Sequence, residues 1–283
     1  MKILLKSNLF MALSLAFLVS VSCSVPKPWP ESPLYDLPPD DAGWVSPATK
    51  EEAMQAMAGH YAHYDIVAYD AVTPNGPLST FVITYGYTDL VMENGELVEY
   101  DRFCHAEHKA NQNMQTRVPD AATQAILPRS SVVEVYEEDG IWKLYRPATP
   151  TLIGIDGDPD RPLSTDKKDP LITDPDGDGN PGITIYVKIF GFIKGEIYLA
   201  RREIFENELA LYPDGSLRGT VIDNSEQLVL GASLGILDVP NNPPQWKDPG
   251  LNPLILIPVP DTMDTCEELM ANRDLLFPPE PEF

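Results

Sequence analysis

Twenty-nine prolines spread over 283 residues leave this chain no room for a long helix. A proline inside a helix removes a backbone hydrogen bond and clashes with the turn before it. The segments between prolines read instead as strands. From residue 61, His63, Asp65, Val67 and Tyr69 share one face of an extended segment, and Tyr64, Ile66 and Ala68 share the other. Residues 78–92 are rich in Thr, Tyr, Phe and Val, and Asn94-Gly95 is a strong hairpin signal before a return over 97–103. Asp139-Gly140 joins 131–136 to 141–145 in the same way. Residues 105–128 read as a polar loop with a helical turn. After an acidic, Pro-rich connection over 147–182, strands resume at 183–190, 196–205, 217–222, 227–230 and 254–259.

Two short helices flank these runs. Thr49-Lys50-Glu51-Glu52 and Thr265-Cys266-Glu267-Glu268 both carry capping-box spacing, and Pro278-Pro279 ends the second helix. About ten strands in adjacent hairpins predict a mainly β fold. The expected form is a single antiparallel β-barrel or barrel-like sandwich with short N- and C-terminal helices. In outline this is lipocalin-like, an analogy at the level of fold. The domain is expected over 48–277, with the acidic loop at 147–182 and a tail at 278–283.

The chain begins with Lys2 and Lys6, then an apolar run over 9–21, then Ser20-Val21-Ser22-Cys23. This predicts a signal peptide over 1–22, since the run is too short to span a bilayer. Residues 1–24 resemble the lipobox segment of bacterial lipoproteins, with Ser20 where that family usually carries Leu. The resemblance implies that Cys23 is the lipid-attachment residue. It also implies a place in the bacterial cell envelope, as an outer-membrane lipoprotein anchored to the membrane by lipid. Ordinary cleavage at the same bond would give a periplasmic or secreted protein. Seven prolines over 23–47 predict an extended tether reaching up to roughly 70 Å at about 3.1 Å per residue. In an oxidising compartment, Cys104 and Cys266 are expected to form one disulfide.

A net charge of −23 argues against nucleic acid, which needs a basic surface to displace counterions. It suits solubility and cation binding. Asp174-Pro175-Asp176-Gly177-Asp178-Gly179-Asn180 resembles the start of EF-hand and thrombospondin type 3 calcium loops. That resemblance implies Asp174, Asp176, Asp178 and Asn180 as oxygen ligands of a calcium staple. Ile185 occupies the twelfth position, so the bidentate glutamate of an EF-hand is missing. Asp156, Asp158, Asp160, Asp166 and Asp169 are further candidates.

The four histidines form two H-x-x-H pairs, His60/His63 and His105/His108, which could share a metal only on a helix or turn. Gly231-Ala232-Ser233-Leu234-Gly235 matches a nucleophile elbow, but no histidine follows Ser233 in the chain. No catalytic set is therefore assigned. The expectation is a binding or structural envelope module, with a small apolar ligand if the barrel holds a cavity. The alternative is an envelope hydrolase using Ser233 or a carboxylate pair.

Overall fold

A computed structural model describes residues 26–28, 44–73, 76–126, 129–239 and 242–283. The expected leader, Cys23 and most of the expected tether lie outside the described residues. The elements run α1 (Lys50–Met57), β1 (Gly59–Thr73), β2 (Gly76–Glu93), β3 (Glu96–Ala110), β4 (Met114–Arg117), α2 (Asp120–Gln124), β5 (Arg129–Glu138), β6 (Ile141–Arg146) and β7 (Thr151–Ile153). Then follow β8 (Ile183–Ile189), β9 (Ile193–Glu203), β10 (Phe205–Leu211), β11 (Leu217–Asp223), β12 (Glu226–Ala232), a short 3-10 turn, β13 (Pro253–Pro258) and α3 (Cys266–Leu276). The fold is mainly β and antiparallel, as expected; among the described residues it is one sheet of thirteen strands with three short α-helices, against about ten strands and two helices from the sequence pattern.

The sheet bends into a barrel-like circuit. Strands β3, β2, β1, β13, β11, β10, β6 and β5 pair in that order, and β5 closes back onto β3 over Leu97–Asp101. The other half of β3 leaves this circuit and pairs with β4, from which β8, β9 and β12 continue. Two long hairpins span both halves. One is β1–β2, and β3 continues it as a meander. The other is built from β9 and β10 against β11 and β12, with one register from Phe205↔Asp223 through Glu226↔Arg202. It bends at Ile204, whose N–H donates to Ser225 Oγ at 2.9 Å.

Helix α1 plugs one end of the circuit. Thr49 Oγ1 caps it by accepting from Glu52 N–H, and its apolar face is Ala53, Met54 and Met57. These pack with Tyr61, Leu90, Leu97, Trp142, Leu144 and Leu209 in a solid core. The opposite, outer face of β1 and β2 is buried too. Tyr64, Phe81, Ile83, Tyr85 and Tyr87 lie under α3 and the C-terminal tail, with Tyr64 stacked on Phe277 at 5.2 Å. Cys104 and Cys266 form the expected disulfide, which fixes the N-terminus of α3 to β3.

Cys104 is itself a β-bulge. Tyr85 pairs with His105 and Gly86 with Phe103, so Cys104 has no partner in the ladder. Gly86 is needed there: a Cβ would sit 2.4 Å from the Arg102 carbonyl oxygen. The bulge swaps the inward positions of β3 from odd to even numbers.

Three expectations change. Residues 105–128 are not mainly loop. The strand β3 runs on to Ala110, and β4 and α2 follow. The connection 147–182 contains β7 and an Ile155↔Ile172 bridge, and Ile155, Leu163 and Ile172 pack over the outer face of β9 and β12. Part of the expected tether joins the body: Lys27 N–H donates to Asn111 O at 3.1 Å, and Asn111 Nδ2 donates to Lys27 O at 2.8 Å.

Candidate functional site

Beyond the plugged core the two long hairpins enclose a cavity of about 1700 Å³. Period-2 alternation decides what lines it. Strand β1 turns His63, Asp65, Val67 and Tyr69 inward, β2 turns Thr80, Val82 and Thr84, and the bulge lets β3 turn both Phe103 and His108. Strands β8 and β9 supply an apolar wall of Ile183, Ile185, Val187, Ile197 and Leu199.

The floor, between cavity and plugged core, is polar. His63 Nε2 lies 2.9 Å from Asp65 Oδ2 and its Nδ1 lies 2.8 Å from Thr88 Oγ1. The Thr88 hydroxyl donates onward to Asp101 Oδ1 at 2.7 Å. Arg146 enters from β6, buried among Glu99, Asp101 and Asn207. Its Nε is 2.9 Å from Glu99 Oε1 and 3.7 Å from Asp101 Oδ2, and its Nη1 donates to Phe205 O at 3.0 Å. Two carboxylates thus share one guanidinium in a buried site. Burial, then the neighbouring Asp101, raises the Glu99 carboxyl well above its ordinary range, against the opposing pull of Arg146.

Four floor atoms have no hydrogen-bond partner among the described residues: Glu99 Oε2 and Arg146 Nε, whose side chains form an ion pair, and then Arg146 Nη2, a donor, and Asn207 Oδ1, an acceptor. The Arg146 and Asn207 side chains line the cavity and are buried, and the two residues are direct partners across β10 and β6. Leaving buried polar groups unmatched costs on the order of 1–3 kcal/mol each, a deficit that a matching ligand group would offset.

A second polar cluster stands on the side wall. The Tyr69 hydroxyl donates to Asp223, and Arg201 lies 3.8 Å from Asp223 and 3.6 Å from Glu203. Burial, then Asp223, raises the Tyr69 hydroxyl far above its usual range, so it stays protonated. His108 faces the cavity from β3, half-buried, and burial lowers its pKa to about 4. It is therefore neutral at pH 7.

The acidic loop brings three of its four expected ligands together. One carboxylate oxygen from each of Asp174, Asp176 and Asp178 lies within 4.8 Å of the others. Much of their capacity is already used locally. Asp174 accepts from the N–H groups of Gly177, Asp178 and Gly179, and Asp176 Oδ2 accepts from Thr184 N–H at 2.9 Å. Asn180 donates to Asp178 from both its backbone and its side-chain nitrogen. Asp176 Oδ1 is buried with no hydrogen-bond partner among the described residues, so this group has oxygen left for a cation. The carboxylates of Asp158, Asp166 and Asp169 instead accept from backbone N–H groups two residues on, as ordinary turn residues do.

Neither histidine pair gathers. On a strand, residues three apart point to opposite faces. His60 lies outside against Asp89 and Met263 O while His63 is inside; His105 meets Asp120 outside while His108 is inside. Ser233 Oγ accepts from Glu196 N–H at 2.8 Å at the exposed end of β12, and turns rather than a helix follow it. The sequence reading missed the polar floor, because Glu99, Arg146 and Asn207 lie on three strands far apart in the chain. Their one local signal was a charged or amide residue at an inward position of each strand. The chain matches no protein-family model, no curated protein and no solved structure.

Proposed function

We propose that this protein binds a small amphipathic molecule inside the barrel-like body. The observation that carries this reading is the unmatched Arg146–Asn207 pair at the bottom of a largely apolar cavity. The ligand's head would accept a hydrogen bond from Arg146 Nη2 and donate one to Asn207 Oδ1, as a hydroxyl or primary amide does. Asp65 and Asp101 disfavour a carboxylate there. The apolar remainder would lie against Ile183, Ile185, Val187 and Leu199. Ser233 gains no support as a nucleophile from its surroundings.

The test uses the neutral fluorophore N-phenyl-1-naphthylamine. The protein is expected to bind it, and Val82→Trp, which fills space on the β2 wall, is expected to weaken binding roughly tenfold with little change in melting temperature. Absence of binding, or equal binding by the variant, would sink the proposal.

The setting we propose is the bacterial cell envelope, with Cys23 as the lipid attachment. The Cys104–Cys266 disulfide supports an oxidising compartment. Calcium is proposed as a staple at Asp174, Asp176 and Asp178, supported by the spare Asp176 oxygen. Adding a chelator is expected to lower the melting temperature, and an unchanged value would remove the ion from the account.

A further inference from the structure

The open end of the cavity is rimmed by apolar side chains that the fold leaves in solvent. Phe190 and Phe192, on the β8–β9 turn, are 51% and 75% exposed; Val72 at the end of β1 is 91% exposed; Ile236 and Val239 after β12 are 66% and 55% exposed. All five also line the cavity mouth. They come from three separate stretches that neighbouring tips hold together. Phe190 N–H donates to Asn113 O at 2.9 Å, and Gln112 Nε2 donates to Pro77 O at 2.8 Å. Leu234 and Leu237 lie against Gly195 of β9.

Phe190 sits at φ +51°, a left-handed conformation that a bulky side chain rarely adopts. A turn selected for geometry alone would carry Gly or Asn there. Beside it, Lys188 and Lys194 face each other across the hairpin, and neither has an ion-pair partner among the described residues. The chain also enters the body at this end. Lys27 is bonded to Asn111 between β3 and β4, and Pro26 packs against Gly76 at the β1–β2 turn. Cys23 precedes Pro26 by three residues, a span of at most roughly 11 Å.

We infer that this rim docks the cavity mouth onto a lipid surface. The phenylalanines would enter the boundary between headgroups and acyl chains, and Lys188 and Lys194 would meet lipid phosphates. As a route for cargo, this rests on the binding reading above. Separate convex tips suit a bilayer, which needs no matching groove. The protein's net charge of −23 favours a zwitterionic surface over an anionic one. A lipid at Cys23 would hold the mouth toward the membrane instead of suspending the domain on a long tether.

The test is flotation of residues 23–283 carrying Cys23→Ser with phosphatidylcholine vesicles, so that neither the apolar leader nor an acyl anchor can do the binding. The protein is expected to float. Phe190→Asn with Phe192→Ser should cut partitioning roughly tenfold or more. Asn tolerates positive φ, so the variant should fold, with an unchanged melting temperature as the check. No flotation, or equal flotation by the variant, overturns the inference. So does a dimer in light scattering that the same substitutions dissolve, since a second copy would then cover the rim. Rim-dependent flotation by a protein that does not bind the fluorophore would uphold docking and remove only the cargo reading.

Discussion

His108 shows how a single side chain can record its surroundings in the pH response of the whole protein. Its folded pKa of about 4 lies below the ordinary histidine value of 6.5 because enclosure penalises the charged ring. Between those values the unfolded chain binds the proton more tightly than the folded one. Stability is therefore lost as pH falls from 6.5 toward 4, and His108 has no such effect above 6.5. His108→Gln is expected to reduce the drop in melting temperature between pH 7 and pH 4.5. An equal drop in both proteins would show that His108 is solvated. The sequence marked His108 only as a partner for His105, which held if the chain turned at that point. It does not turn: β3 continues to Ala110, and the two rings are placed on opposite sides of the sheet. Nothing local could announce this, because the strand is extended by pairing with β2 and β4, both remote in sequence. The Asn94 and Asp139 turns, by contrast, were legible. Each residue has φ +53° and is followed by glycine, chemistry that the dipeptide itself specifies.

At the scale of elements, the bulge and the disulfide act together. Gly86 allows the close approach that makes Cys104 the extra residue of β3, and the bond to Cys266 then holds the start of α3 over the outer face of β1 and β2. The cysteine pairing was readable from count and expected compartment, whereas the bulge was not, since it depends on contact between two strands. Helix α3 also has its own capping box and the apolar contacts of Leu269 and Phe277. Its dependence on the bond can therefore be measured without losing the fold. The crosslink spans 162 residues, for which loop entropy gives an upper value of about 5 kcal/mol. Cys104→Ser with Cys266→Ser is expected to lower unfolding free energy in urea by several kcal/mol. It should also speed amide exchange in α3 more than in β6 or β10. Uniform acceleration across the sheet would mean that the bond stabilises only through the unfolded chain.

The whole molecule divides along its axis into a filled end and a hollow end, with a polar floor between them. The filled end has the close packing of α1 against Leu97, Leu144, Leu209 and Leu217, contacts that give a β fold its cooperativity. The hollow end encloses about 1700 Å³, so Ile183 and Ile185 of β8 and Leu199 of β9, which pack with Ala122, Ile153 and Val229 on their inner side, also border open space and are less fully packed than the filled end. Among the described residues those strands reach the rest of the sheet through the four residues of β4, the bent hairpin at Ile204 and the three residues of β7, which follow β6. The free protein is therefore expected to open locally at β8 and the first half of β9, well below its global unfolding free energy. Hydrogen exchange should find those amides the least protected of the long strands, and β6, β10 and β13 the most. A ligand that occupies the cavity supplies further inner contacts to the hollow end alone. Saturation with N-phenyl-1-naphthylamine should therefore slow exchange in β8 and β9 while leaving β6 and β10 unchanged. Equal protection of both ends in the free protein would contradict the division. Slowing confined to the outer surface over α3 would place the ligand elsewhere.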